Sequence, residues 1–397
     1  MATEVDRYLR PGTLHLPKLP PLSLYVHLPW CLAKCPYCDF NSHAMPRDGA
    51  LPEARTVDAL VADLEASLPL VWGRPVVSVF IGGGTPSLFS PAAIERLIGA
   101  IRARLPLEPA AEITLEANPG TFERDRFRAF HAAGVTRLSL GVQSFDDGAL
   151  RALGRVHDGA QARAAAAEAA EVFETWNLDL MTGLPAQTEA GAVADTAAAL
   201  AFAPPHVSLY QLTIEPNTVF AKFPPAALPD ADTQARLLDA AVSPLEAAGL
   251  RRYEVSAHAR DGHRSVHNVN YWMFGDYLGI GAGAHGKLSF PHRVVRQVRR
   301  RKPQAWLASA LAGDAVAEAF EVERKALPFE FMLNALRLRE GFALPLFGER
   351  TGLPPSAIAR PLEVAERRGL VERTGDLVRP TPLGFDFLSD LQQLFLA

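Results

Sequence analysis

The chain has 397 residues, 48% hydrophobic and 21% charged, which is ordinary for a soluble globular protein with room for two or three domains. Its formal net charge of −4 predicts no general attraction to nucleic acid or to acidic membranes. No apolar run of about 18 residues occurs, so we expect no transmembrane segment.

Residues 1–21 form an N-terminal arm in our interpretation. The arm is charged near its start and lacks the apolar core of a signal peptide, so we expect a cytoplasmic location. Pro11, Pro17, Pro20 and Pro21 predict that the arm is extended rather than helical.

All three cysteines of the chain follow the apolar run Leu22–Leu28. Cys31, Cys35 and Cys38 are spaced C-x3-C-x2-C, and so short a loop can direct three thiolates at one iron–sulfur cluster. A four-iron cluster on three thiolates keeps one iron open to another ligand. A zinc site with His43 as fourth ligand is an alternative. A disulfide would leave one cysteine over, and clustered cysteines fit a reducing compartment.

The cysteine spacing, with Tyr37 before the third cysteine, resembles the signature of the radical S-adenosylmethionine (SAM) superfamily. The resemblance implies a [4Fe-4S] cluster held by Cys31, Cys35 and Cys38. It also implies that the open iron binds the amino and carboxylate groups of SAM, which the cluster cleaves reductively to a 5′-deoxyadenosyl radical.

Short β-rich runs then alternate with amphipathic, alanine-rich stretches, which predicts βα units and a parallel sheet. The apolar runs are 22–28, 76–81, 113–116, 137–140, 178–180 and 207–212. The helical stretches are 57–68, 94–105, 125–133, 160–172, 190–201 and 233–248. Six units predict an α/β fold with a partial (β/α)6 barrel of the TIM type over residues 22–250. Periodicity alone leaves an open doubly wound sheet as an alternative.

Polar residues follow the predicted strands, where parallel βα folds collect their chemistry. The clearest case is Gly82–Gly84 with Thr85 and Pro86, which could be a tight turn or a place where backbone approaches a ligand closely. It is not a P-loop, because the lysine of that motif is absent.

The Gly-Gly-Gly-Thr-Pro run resembles a SAM-binding motif of the coproporphyrinogen oxidase-like branch of the superfamily. By this resemblance, the SAM-binding residues are Tyr25, Tyr37, Gly83, Gly84, Thr85, Glu116, Gln143, Arg155 and Asp179. Carboxylates can accept from ribose hydroxyls or an ammonium group, and arginine can pair with a carboxylate. For each residue the alternative is a structural polar group with its hydrogen bonds satisfied.

After Ala248 the barrel pattern stops, and residues 251–325 form a smaller α+β connecting region in our interpretation. It contains His267-Asn268-x-x-Tyr271-Trp272, which offers an axial haem ligand and flat apolar surfaces for a porphyrin. Core packing is the alternative, and His258, His263 and His285 compete with His267. Gly281, Gly283 and Gly286 match G-x-G-x-x-G without the βαβ context of a dinucleotide site.

A basic cluster follows, made of Arg293, Arg296, Arg299, Arg300, Arg301 and Lys302. We interpret it as a solvated face that balances acidic neighbours. Haem propionates, a partner protein or nucleic acid are the alternatives.

Residues 326–397 predict a winged-helix-like domain, with helices at 329–338, 344–350 and 355–368, a hairpin at 369–380 and a single last helix at 383–396. Such a domain can bind DNA, but Glu363 and Glu366 on the third helix favour a packing role. We therefore expect no nucleic acid, and salt-dependent duplex binding would contradict this.

Within the branch, oxygen-independent coproporphyrinogen III oxidases carry a fourth cysteine two residues after the third, where this chain has Phe40. Cys38-Asp39-Phe40 and the HNxxYW motif resemble the HemW haem chaperones instead. That resemblance implies a cytosolic protein that binds a four-iron cluster, SAM and haem and delivers haem to respiratory haemoproteins, which it would meet at the membrane periphery. His267 is our first candidate for the haem contact, and oxidase activity stays open as the enzymatic alternative.

Overall fold

The computed structural model describes residues 4–45, 50–120 and 126–396. The strands are β1 Leu22–Leu28, β2 Trp30–Cys31, β3 His43–Ala44, β4 Val76–Gly83, β5 Leu107–Ala117, β6 Arg137–Gln143, β7 Thr175–Thr182, β8 His206–Gln211, β9 Arg251–Arg252, β10 Ala257–Ala259, β11 Asp276–Gly281, β12 His285–Phe290, β13 Arg293–Arg299, β14 Val316–Glu321, β15 Phe342–Ala343, β16 Val371–Thr374 and β17 Leu377–Pro380.

The helices alternate with the strands through most of the chain. They are α1 Glu4–Leu9, α2 Glu53–Val71, α3 Pro91–Arg104, α4 Phe127–Ala132, α5 Asp147–Ala152, α6 Gly159–Val172, α7 Glu189–Leu200, α8 Val219–Lys222, α9 Ala231–Ala247, α10 Val266–Trp272, α11 Pro303–Leu311, α12 Leu327–Ala335, α13 Leu344–Thr351, α14 Ser356–Arg367, α15 Pro382–Asp386 and α16 Leu388–Gln393, with a 3-10 turn at Pro86–Leu88.

Six parallel strands form the barrel predicted from the alternation. They lie side by side in the order β1-β4-β5-β6-β7-β8, which is also their order along the chain. In a doubly wound sheet the order of the strands reverses near the middle of the sheet. These six parallel strands keep one order throughout, so the partial barrel is confirmed. Side-chain caps such as Ser90 before α3 and Asp158 before α6 begin the helices that cover it. The predicted start of the third helix at Asp125 lies outside the described residues.

The sheet continues where the sequence pattern predicted that it would stop. β11 pairs in parallel with the free side of β1, and β12, β13 and β14 follow as antiparallel neighbours. Gly281 and Gly283, with φ of 104° and 75°, begin the turn from β11 into β12, which is a strand-to-strand junction and not the strand-to-helix turn of a dinucleotide site. The domain boundaries at 250 and 325 stay predictions.

The N-terminal arm differs from its predicted extended form. It contains α1, which ends before the first of the prolines, so the prolines restrict only the part after the helix. Beyond α1 the arm is tied to distant backbone: Leu16 N donates to Pro291 O at 2.9 Å and His15 N to Gly352 O at 3.3 Å. Leu14 and Leu16 belong to the apolar core of the C-terminal domain.

The C-terminal domain has the predicted three helices, α12, α13 and α14, and a three-stranded sheet in the order β15-β17-β16. The winged-helix-like prediction is confirmed in this form. The prediction of a single last helix is wrong, because the backbone at Phe387, with φ −105° and ψ 43°, separates α15 from α16.

The basic cluster is not one solvated face. Arg299 is buried and its Nε donates to Asp63 Oδ1 at 3.1 Å, and Arg293 is also buried. Arg296 pairs with Glu330 at 2.7 Å. All three lie on β13, where Arg293 and Arg299 share one face and are buried, while Arg296, on the opposite face, is half-buried. The count of arginines could not reveal this alternation.

Among the described residues, no helix combines the length and the apolar character needed to cross a membrane.

Candidate functional site

The carboxyl ends of the barrel strands surround a cavity of about 410 Å³, which we call the cysteine cavity. Of the predicted site residues, those lining it are Cys31, Cys35, Tyr37, Cys38, Gly83, Gly84, Thr85, Glu116, Gln143, Arg155 and Asp179. Only Tyr25 and His267 of the predicted set lie elsewhere, and both line a neighbouring cavity.

Each cysteine sulfur in this cavity has a polar neighbour, from a distant part of the chain for Cys31 and Cys35 and from the same loop for Cys38. Thr85 Oγ1 donates to Cys31 Sγ at 3.5 Å, and Arg155 Nη1 donates to Cys35 Sγ at 3.7 Å.

Ser42 Oγ lies 3.4 Å from Cys38 Sγ. None of the three thiols is in a disulfide, and each is partly exposed to the cavity. Three accessible thiols with hydrogen-bond partners fit a cluster-binding loop, because hydrogen bonds to cluster sulfurs tune such sites.

His43, the alternative fourth ligand of a zinc site, has another partner. Its Nε2 lies 3.2 Å from Asn41 Oδ1. The cavity-lining residues do not include His43.

The glycine run, Gly82–Gly84, packs tightly against the end of β1 and against the segment between β1 and β3 that carries the three cysteines, which we call the cysteine loop. A Cβ at Gly84 would lie 2.5 Å from Trp30 O, and a Cβ at Gly83 would lie 2.5 Å from the His27 ring. The run's amides are already used, since Gly84 N donates to Leu28 O and Thr85 N to Trp30 O. Glycine is therefore required here for contact with the loop, and a ligand would meet the run through its other atoms.

Two carboxylates lie at the floor of the cysteine cavity. Glu116 Oε2 accepts from Gly83 N at 3.0 Å, and Asp179 Oδ1 accepts from Asn177 Nδ2 at 2.8 Å. Burial, with the nearby charge of Asp179, raises the pKa of Glu116 to about 7, and burial also raises the pKa of Asp179. Such a pair is suited to a cationic or hydroxyl-rich ligand.

Replacing Glu116 by glutamine is expected to stabilise the ligand-free protein at pH 8 and to have little effect at pH 5. A carboxyl whose pKa is raised by folding costs stability as the pH rises from its ordinary value, 4.5, through about 7. Glutamine carries no charge and can still accept from Gly83. Urea midpoints at the two pH values measure this. The matched control is the exposed Glu108→Gln on the same strand, and an equal gain for both variants would contradict it.

Gln143 reaches the cavity from an irregular strand end. Its φ is 70°, and the pairing of β6 with β7 shifts register between Gly141 and Gln143. Residues other than glycine seldom adopt the left-handed region, and one that does often marks a functional position. The bulge turns the Gln143 side chain toward the cavity that it lines.

Asn118 is a cavity residue that the sequence prediction missed. Its Nδ2 donates to Thr85 Oγ1 at 2.8 Å, and its Oδ1 accepts from Arg155 Nη2 at 2.5 Å. Asn118 thereby joins the polar partners of two cysteines. Its place two residues after Glu116, at the end of β5, was the available signal.

Next to the cysteine cavity lies a second cavity of about 560 Å³, which we call the aromatic cavity. It is lined by Tyr25, His27, Asp39, Phe40, Asn41, Phe80, Gly83, Glu116, His267, Asn268, Tyr271, Trp272, Tyr277, Gly283, His285 and Arg301. Asp39, Phe40, Gly83 and Glu116 line both cavities. These four residues therefore form a common wall.

His267 lies on α10 and lines the aromatic cavity. Its Nδ1 is 3.1 Å from Ser78 Oγ, and its ring is 5.0 Å from that of Phe80. Burial, with the positive charge of Arg137, lowers the pKa of His267 to about 3. The imidazole is therefore neutral at pH 7, the form that binds metals.

Two contacts fix α10. Glu112 accepts from the backbone N–H groups of Val266 and His267 at 3.1 and 3.2 Å at the start of the helix. At its end the Trp272 ring lies 4.1 Å from the guanidinium of Arg337, beyond α12. The helix α10, which carries the HNxxYW motif, is thus held between the barrel and the C-terminal domain.

The competing histidines differ in position. His285, at the start of β12, is exposed and also lines the aromatic cavity. His258 and His263 are not among the cavity-lining residues, and His263 Nδ1 lies 3.0 Å from Thr175 Oγ1.

The radical SAM superfamily model matches residues 25–196, and the HemN C-terminal domain model matches residues 322–387. The heme chaperone HemW of Escherichia coli strain K12 is 46% identical over 382 residues, which cover 96% of this chain and 99% of that protein. The chain belongs to the HemW family. The HemW protein of Haemophilus influenzae is 45% identical, again covering 96% and 99% of the two chains.

A solved structure, the E. coli coproporphyrinogen III oxidase HemN, described as a radical SAM enzyme, has the same fold. Its TM-score is 0.81 with 23% identity, over 95% of this HemW-family chain and 90% of that chain. The resemblance to the radical SAM superfamily and its HemN-like branch is confirmed. Membership of the superfamily implies a [4Fe-4S] cluster and SAM. The three accessible thiols of the cysteine cavity fit such a cluster.

Phe40 lies at the boundary between the two cavities of this HemW-family chain. Its side chain is 66% exposed and lines both cavities. The position where the oxidases carry a fourth cysteine is therefore part of the common wall, and it holds a large apolar group without a thiol.

Proposed function

We propose that this protein is a haem chaperone that holds a [4Fe-4S] cluster and SAM in the cysteine cavity, binds haem in the aromatic cavity and delivers the haem to haemoproteins. The observation that carries the proposal is the aromatic cavity, lined by two histidines, directly beside the cysteine cavity of a HemW-family chain.

In this proposal Cys31, Cys35 and Cys38 are the cluster ligands. When bound, the cluster supplies an open iron for the amino and carboxylate groups of SAM and one-electron chemistry toward it. The protein's own groups bind the rest of SAM. The paired carboxylates Glu116 and Asp179 accept from cationic or hydroxyl groups, and Arg155 supplies positive charge next to the cluster loop.

The remaining SAM contacts in the proposal are Tyr37, Gly83, Gly84, Thr85 and Gln143. Tyr25, which was also predicted as a SAM contact, lines the aromatic cavity instead, so the proposal does not place it against SAM. Tyr37 lines the cysteine cavity, and its ring lies 6.3 Å from that of Phe220. Thr85 would act through Cys31, to which it donates.

The aromatic cavity has the features that a haem site requires. About 560 Å³ falls in the range of about 300–1,000 Å³ typical of small-molecule sites. Tyr271, Trp272 and Phe80 offer apolar faces for the porphyrin, and His267 and His285 offer imidazoles for the iron. Arg301 on its rim can pair with a propionate carboxylate.

The partners follow from this function. We propose cytoplasmic residence, haemoprotein clients and a peripheral contact with respiratory proteins at the membrane. Proteins named heme chaperone HemW support the haem and client part of this statement.

His267→Ala is expected to shift the Soret band of the haem-loaded protein and to weaken haem binding about tenfold or more, because it removes the imidazole that would hold the iron. Titration of apo-protein with haemin, followed by absorbance, measures both. His263→Ala is the matched control, since His263 lies outside the cavity lining. An unchanged spectrum in His267→Ala would remove His267 from the proposal, and a change in His285→Ala instead would assign the iron to His285.

Delivery itself is tested by mixing haem-loaded protein with an apo-haemoprotein and following the recovery of the client's activity. The oxidase alternative needs a separate assay. Cluster-reconstituted protein is given SAM, dithionite and coproporphyrinogen III without oxygen, and vinyl products are followed by mass spectrometry. Turnover to protoporphyrinogen would overturn the chaperone proposal and would mean that Phe40 can replace a cysteine.

A further inference from the structure

The cysteine loop is anchored at its far end by one amide side chain. Asn41 Nδ2 donates to Ala282 O and to Arg301 O, both at 2.9 Å. Ala282 lies in the turn from β11 to β12, and Arg301 follows β13. One residue thereby joins the loop that carries the cysteines to the part of the sheet that carries His285.

The same residue ends a chain of hydrogen bonds that starts in the barrel. His27 Nε2 lies 3.0 Å from Asn41 O, and His27 Nδ1 lies 2.9 Å from Tyr25 Oη. A carbonyl oxygen only accepts, so Nε2 carries the proton, Nδ1 accepts, and the Tyr25 hydroxyl donates. Burial lowers the pKa of His27 to about 4, which agrees with this neutral ring.

The contacts leave no room for adjustment. A Cβ at Gly283, where φ is 75°, would lie 2.5 Å from Asn41 Nδ2. A Cβ at Gly281 would lie 2.2 Å from His27 O. The Asn41 side chain is thus packed against the backbone of the turn, and the turn begins where β11 lies against β1 at His27, so a shift of the turn moves Asn41 with it.

Asn41 directly follows two residues of the common wall. Asp39 and Phe40 line both cavities, while Asn41, His27 and Tyr25 line the aromatic cavity. The position of Asp39 and Phe40 in the wall is therefore set by where Asn41 holds the loop against the turn, while Gly83 and Glu116 are held by β4 and β5.

We propose that Asn41 is a positioning residue that fixes the common wall and thereby couples SAM binding in the cysteine cavity to haem binding in the aromatic cavity. The inference rests on the proposed function. A ligand on one side of the wall holds Asp39 and Phe40 in the position that the second ligand needs, so each ligand strengthens the binding of the other. Thermodynamic linkage requires the two effects to be equal in size.

The experiment uses full-length, cluster-reconstituted protein. Haemin is titrated with and without saturating SAM, and SAM is titrated with and without haem, the latter followed by the electron paramagnetic resonance spectrum of the reduced cluster. In the wild type, SAM is expected to lower the Kd for haem about fivefold or more, with the reciprocal change of the same size. In Asn41→Ala the ratio is expected to fall below about twofold.

Three further variants separate positioning from general damage. Asn41→Asp keeps the size and the acceptor toward His43 but loses both N–H donors, so it is expected to lose the coupling even if Asn41→Ala does not fold. Gly283→Ala presses on the same amide from the turn and is expected to lose it as well. His43→Ala removes only the contact to Asn41 Oδ1 and is expected to keep it.

The outcomes are distinct. Haem and SAM binding without coupling in the wild type would overturn the inference and leave the proposed function intact. Full coupling in Asn41→Asp would also overturn the inference. A wild type that binds no haem would overturn the proposed function, and the inference with it.

Discussion

Replacing Asp63 by alanine is expected to lower the free energy of unfolding by about 3–5 kcal/mol, because it leaves a buried guanidinium without its counter-charge. Asp63, on α2, is 1% exposed and Arg299 is fully buried. The Asp63 carboxylate accepts from Arg299 Nε at 3.1 Å, Trp306 Nε1 at 3.0 Å and Gly281 N at 3.1 Å. One side chain thus joins α2, β11, β13 and α11.

Urea unfolding followed by circular dichroism measures this effect. The matched control is Asp58→Ala on the same helix, where the pair with Arg96 is about half exposed and is worth at most about 1 kcal/mol. Asp63→Asn, which keeps an acceptor for two of the three donors, is expected to fall between the two. A loss of less than about 1 kcal/mol in Asp63→Ala would mean that Arg299 finds other partners, and would contradict the argument.

Replacing Cys35 by alanine is expected to reduce the iron content after anaerobic reconstitution from about four atoms per chain to near zero. Three thiolates are the smallest set on which this loop can hold a cluster with one open iron, so the loss of any one is expected to act like the loss of all three. Cys31→Ala and Cys38→Ala should give the same result.

Iron analysis and visible absorption measure the change. Ser42→Ala is the control, because it removes only a contact to Cys38 Sγ and should retain iron. Circular dichroism should be unchanged in all four variants. A Cys35→Ala protein with full iron would assign the cluster to other ligands.

Sequence patterns predicted the barrel because its information is local. The run Leu22–Leu28 was predicted to the residue. The spacing of Cys31, Cys35 and Cys38 indicated that the three thiols share one site, and the resemblance to the radical SAM signature implied the cluster. The rule that chemistry collects at the carboxyl ends of parallel strands brought Glu116 and Asp179 together with them. Each strand and each polar residue at its end is a local signal, and the rule for parallel strands supplies the rest.

The remainder depends on residues far apart in the chain. Nothing near Arg299 shows that its partner is Asp63, 236 positions earlier, so the basic cluster seemed solvated. Nothing near Leu14 shows that it packs in the C-terminal core. The division of the site into two cavities likewise depends on β11 lying beside β1, and that pairing joins segments about 250 residues apart.

That pairing of β1 orders events during synthesis. One neighbour of the strand, β4, is synthesised soon after it, whereas the other, β11, is complete only at Gly281. The N-terminal arm forms a hydrogen bond with the still later residue Gly352. Until then one edge of β1 is open, and an open edge can pair with another chain. The cysteine loop that leaves β1 is meanwhile closed from one side only. A nascent chain must therefore be protected from aggregation for most of its translation, over the same interval in which its thiols are most accessible.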